Sequence, residues 1–129
     1  MENIQNRKQR KLERFEDLFV WQKAHQLALE IYRTSQKFPS EERFGLISQM
    51  RRASVSVPAN IAEGFKKHGN KDKINFYNIA QGSLEELRYY IILAKDLNYL
   101  TNTDNINNLI EEISKMLFRL ISAVKQIKQ

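Results

Sequence analysis

The chain has 129 residues, 21 Lys and Arg against 15 Asp and Glu, a net charge of +6 and no cysteine. That length fits one domain with room for a core, and the missing cysteines exclude disulfides and thiolate metal sites. No apolar run approaches the roughly 20 residues that span a bilayer, and MENIQNRKQRKLER at the N-terminus lacks the apolar segment of a secretory signal, so a cytoplasmic protein away from membranes is expected.

Two prolines, four glycines and no sustained β-branched alternation predict a chain that is nearly all helix. Residues 1–14 are polar and charged with no apolar stripe, which reads as a flexible basic arm ahead of a single domain over 15–129. A first helix is predicted over 18–37, with Val20, Ala24, Leu27 and Ile31 on one line. Phe38-Pro39-Ser40 ends it, because the residue before a proline avoids the α region. Ser40 is then expected to cap a second helix over 41–67, with Glu41 and Glu42 in its first turn.

This second helix has two faces of different chemistry. Leu46, Met50, Ala53, Val57 and Ile61 recur at core spacing. Gln49, Arg52, Ser56, Asn60 and Glu63 form a polar stripe, and Ser and Asn are poor helix-interior residues unless they bond something. Either another helix of the same chain or another subunit fits that stripe. Pro58 falls mid-helix and costs about 3 kcal/mol unless the structure compensates. Both stripes keep their phase across it, so one kinked helix is expected.

His68-Gly69-Asn70 reads as a turn, Gly69 in a left-handed closing conformation and Asn70 capping a third helix over 71–98. One apolar line holds Ile74, Tyr77, Leu84, Leu87, Ile91 and Ala94, and a second Phe76, Ile79, Ser83, Tyr90, Leu93 and Leu97. Gly82 in its interior suggests a close helix approach. After the polar turn Thr101-Asn102-Thr103, a fourth helix over 104–128 carries Ile106, Leu109, Ile113, Met116, Leu120, Val124 and Ile127. Four long helices with short loops predict an all-α, antiparallel up-down-up-down four-helix bundle with a Pro-kinked second helix.

The charge is uneven. Arg7, Lys8, Arg10, Lys11 and Arg14 oppose only Glu2 and Glu13, and Lys66, Lys67, Lys71 and Lys73 oppose only Asp72, a net +3 in each cluster. Such clusters suit phosphate backbones, and equally serve as solubilising surface. No catalytic constellation accompanies them. His25 and His68 lack the Glu three residues earlier that a di-iron bundle requires, and Gly-rich phosphate loops and nucleophile elbows are missing. No enzyme, metal or cofactor is therefore expected. Leu18, Trp21, Tyr32 and Phe38 are spaced for core packing rather than as a base-stacking platform.

FEDLFVWQKAHQLALEIY (15–32), FPSEERFGLISQMRRASVSVPANIAEG (38–64) and IAQGSLEELRYYIILAKDLNYL (79–100) closely resemble the four-helix-bundle proteins encoded in 23S ribosomal RNA intervening sequences. The likeness is most specific at residues 49–53, Ser56, residues 60–64, and Gly82-Ser83. It implies a non-enzymatic bundle assembled as a homopentamer, similar in fold to the accessory variability determinant proteins of diversity-generating retroelements. With the charge clusters, it leads to an oligomer that binds RNA or DNA through phosphate contacts from Arg7, Lys8, Arg10, Lys11, Arg14, Arg51, Lys66, Lys67, Lys71 and Lys73. The rival is a protein-interaction scaffold, for example an accessory subunit to a reverse transcriptase, with no nucleic-acid binding of its own.

Overall fold

The computed structural model describes residues 12–127. Within them lie four α-helices and no strand: α1 (Phe19–Ser35), α2 (Leu46–Lys66), α3 (Asn70–Asp96) and α4 (Asp104–Gln126). Short 3-10 turns at Phe15–Asp17 and Ser40–Glu42 precede α1 and α2. Each helix packs on its neighbours in chain order and α1 closes on α4, which leaves α1 and α3 on one diagonal of the bundle. Ser56 meets Ser83 and Gly64 faces Tyr77, so residue numbers run in opposite senses along α2 and α3. None of the helices among the described residues is long and apolar enough to cross a membrane.

The apolar spacing explains the core. Val20, Ala24, Leu27 and Ile31 of α1 are buried, as are Leu46, Met50, Ala53, Val57 and Ile61 of α2 and Tyr77, Leu84, Leu87, Ile91 and Ala94 of α3. α4 buries Ile106, Ile113 and Val124 of the expected line, but between them Ile110, Leu117 and Ile121 go inside while Leu109, Met116 and Leu120 pack at the edge and Ile127 is exposed. The apolar pairs 109–110, 116–117 and 120–121 offer two adjacent lines, and the bundle turns the second one inward. The second line of α3 is a margin of the same kind, with Ile79 and Leu97 exposed.

Helix ends depart from the expected caps for identifiable reasons. Ser40 opens a 3-10 turn rather than α2, which starts six residues later at Leu46. Glu42 still serves the dipole, since its Oε1 accepts the Leu46 N–H at 3.3 Å while its Oε2 accepts the Tyr99 hydroxyl at 3.0 Å. Gly69 is extended, φ −84° and ψ 144°, not left-handed. Asn70 does not cap its own helix: its side-chain amide donates to the carbonyls of Val124 (3.2 Å) and Ile127 (2.6 Å), tying the last turn of α4 to the first of α3. The left-handed residue is Asn98, φ 65°, which closes α3.

The close approach expected at Gly82 falls at Gly64 instead. A Cβ at Gly82 would meet nothing within 4 Å, so the approach expected there does not occur within this chain. At Gly64 a Cβ would lie 2.6 Å from Cε1 of Tyr77, so this is where α2 and α3 come close. α2 is one continuous helix through Pro58.

Candidate nucleic-acid interface

The turn between α2 and α3 brings Lys66, Lys67, Lys71 and Lys73 to one end of the bundle. Lys66 closes α2, Lys67 follows it, and Lys71 lies in the first turn of α3, all three exposed. The Lys67 ammonium stands 5.2 Å over the Phe76 ring, which orients it without removing it from water. Because Asn70 holds the end of α4 here, Lys125 belongs to the same end. The turn Phe15–Asp17 packs on both α1 and α2, which brings exposed Arg14 to it as well. Five acids share this end: Glu13, Glu16, Asp17, Glu63 and Asp72. Asp17 is engaged, its Oδ2 accepting the backbone N–H of Arg14 at 3.2 Å and of Glu13 at 3.4 Å.

Lys73 has a different task. Its ammonium donates to the carbonyls of Gly64 (3.2 Å) and Phe65 (2.7 Å), covering the C-terminal end of α2, and burial lowers its pKa from the ordinary lysine value. It positions the turn and is not presented to a phosphate. Arg7, Lys8, Arg10 and Lys11, with most of the expected arm, lie outside the described residues.

The two neighbouring arginines also divide. Arg51 turns toward α1: Nε donates to Ser35 Oγ at 2.9 Å, a terminal nitrogen to the Tyr32 carbonyl at 3.3 Å, and the guanidinium lies 4.6 Å from the Tyr32 ring centre. Exposed Arg52 makes no ion pair among the described residues; its charge acts on the Tyr90 hydroxyl, itself bonded to Glu86 at 2.7 Å. Within the polar stripe, Ser56 and Ser83 share a 2.7 Å hydrogen bond, and the Asn60 amide donates to the Ser56 carbonyl (2.8 Å) and hydroxyl (3.0 Å). The middle of the stripe therefore joins α2 to α3 inside one chain, while Gln49, Arg52 and Glu63 remain exposed.

Fold and surface together define a small all-helical bundle protein. The model of the 23S rRNA-intervening sequence protein family matches residues 16–119, and the chain belongs to that family. Among solved structures it is similar to a protein of unknown function from the S23 ribosomal protein family of Bacteroides thetaiotaomicron, at 30% identity and a TM-score of 0.74, over 80% of this chain and 95% of that one. No curated protein matches.

Proposed function

We propose that this chain is a non-enzymatic bundle that assembles with copies of itself and holds RNA or DNA by the phosphate backbone. The observation that carries this reading is the gathering of Arg14, Lys66, Lys67, Lys71 and Lys125 at one end of the bundle, Arg14 being next in sequence to the basic run Arg7, Lys8, Arg10 and Lys11. Such contacts position a backbone without reading its sequence. Five is the subunit number taken from the family likeness.

Binding of a labelled single-stranded RNA, followed by anisotropy from about 50 to 200 mM salt, tests it. Affinity is expected to fall steadily with salt, and Lys66→Ala, Lys67→Ala and Lys71→Ala together should flatten the log–log slope by about 2. Absent binding, or binding indifferent to salt, overturns the reading.

A scaffold role is the second reading, favoured by exposed Tyr89, Ile92 and Phe118, large apolar side chains that no neighbour covers. A pull-down after nuclease treatment separates the two, since a scaffold keeps its partners.

A further inference from the structure

We propose that the open groove between α1 and α2 receives the outer face of α3 from a second copy of the chain, so that copies join head to tail. This specifies the surfaces of the self-assembly proposed above and rests on that reading. The groove encloses about 350 Å³ and is lined by His25, Ala28, Leu29, Tyr32, Val55 and Pro58. Leu29, Tyr32 and Val55 are 49, 42 and 43% exposed. Three adjacent apolar side chains, each nearly half in water, over a floor of Ala28 and Pro58 make a slot for a helix rather than a site for a polar ligand.

Charge selects which helix. Arg51 lies half-buried at the rim of this groove, and its partners are a serine hydroxyl, a peptide carbonyl and the Tyr32 ring. Among the described residues no carboxylate comes within ion-pair distance of it. A half-buried guanidinium met only by neutral groups can still take a carboxylate.

The chain carries the matching face on α3. Glu85, Tyr89, Ile92 and Asp96 are all exposed and recur at 4, 3 and 4, one line along the helix. Tyr89 and Ile92, 56 and 54% exposed, are thus bracketed by two carboxylates. Glu85 holds Arg88 only loosely, at 3.9 Å. The line is about 16 Å long at 1.5 Å per residue, and the groove runs about 10 Å from His25 to Tyr32 on the same measure, so the apolar pair fits within it and a carboxylate reaches the rim. α1 and α3 occupy one diagonal, so a chain cannot fill its own groove. The contact pairs two different surfaces and propagates from copy to copy until it closes.

Two single variants and their mixture test this by light scattering and sedimentation on the full chain. Leu29→Glu breaks the groove and Ile92→Glu breaks the line, both at exposed positions, and circular dichroism with a thermal melt confirms that each remains folded. The wild type is expected to run heavier than one chain, and each variant alone as a single chain. An equimolar mixture should give a dimer and nothing larger, because one intact groove and one intact line remain per pair. A wild-type oligomer with variants that keep its mass, or with a mixture that stays monomeric, overturns this inference and leaves self-assembly standing. A monomeric wild type overturns both, and the groove then belongs to some other partner.

Discussion

The two flanks of α2 are built from similar material to opposite ends. On the flank toward α3, Ser56 and Ser83 are bonded, Asn60 folds back on Ser56, and Gly64 admits the Tyr77 ring, so the seam is closed along most of its length. On the flank toward α1, Arg51 ties the helices at one point, and beyond it Val55 and Pro58 face Leu29 and Tyr32 across an open groove. Ser56 and Asn60 of α2 thus lie within the seam, while its apolar Val55 on the other flank reaches the surface. Polarity does not mark the outside here; what matters is whether the opposite helix supplies a partner.

The largest break in this contrast is Gly64→Val. Its new carbons would enter the space of the Tyr77 ring, which is 1% exposed and has no room to retreat. Overpacking of this kind costs about 3 kcal/mol. Urea unfolding should show the midpoint falling with its slope unchanged. A midpoint within experimental error of wild type would mean that the two helices separate easily, and the closed seam would lose its main support.

Tyr77 also makes the closed seam sensitive to alkali. Burial pushes its hydroxyl up to about 12 from an ordinary value of 10.0. Between those values the unfolded chain has released the proton and the folded chain still holds it, so stability is complete below about pH 10 and declines as pH rises toward about 12. The loss is of the order of 2 kcal/mol, and Tyr77→Phe should remove most of it. Tyr90 and Tyr99 are shifted the same way, first by hydrogen bonds to Glu86 and Glu42, but near the surface, and should add little. Lys73 acts in the opposite sense: its lowered pKa makes folding easier as pH rises toward the ordinary lysine value. Unfolding midpoints of wild type, Tyr77→Phe and Lys73→Gln across the alkaline range separate the two contributions.

The Ser56/Ser83 bond is the next test. A double-mutant cycle with Ser56→Ala and Ser83→Ala should return a coupling of about 1 kcal/mol, since a half-buried hydroxyl pair gains that much over its solvated parts. Zero coupling would indicate that the stripe is held by packing alone.

How much of this was legible in the sequence depends on which neighbour decides. The apolar lines read for α1 and α2 are both buried. α4 offers two adjacent apolar lines, and only the other three helices select between them. The start of α2 was hidden because Ser40-Glu41-Glu42 has the composition of a helix N-terminus, yet forms a 3-10 turn whose Glu42 reaches forward to Leu46. The basic cluster at 66–73 stands out as a run of charge, but nothing local distinguishes Lys73, which covers carbonyls nine and eight residues back, from Lys71, which covers none. Arg51 and Arg52 differ only in direction, and the partner that claims Arg51 lies 16 residues away. The groove left no signal at all, because exposed Leu29 and Val55 have the same spacing as buried residues.

The smallest effect gives the sharpest reading of the comparison. Gly82→Ala places a methyl group where nothing lies within 4 Å, on an exposed face in the interior of α3. Glycine in such a position costs up to about 1 kcal/mol relative to alanine, so the variant should unfold at slightly higher urea, a gain of about 0.5–1 kcal/mol. The measurement is best made on a sample diluted until it runs as single chains. If the gain appears there but shrinks or reverses at higher concentration, backbone from another molecule approaches Gly82 as closely as Tyr77 approaches Gly64. If it is constant at all concentrations, the glycine has no neighbour in any state of the protein, and the face beside it is not part of a contact.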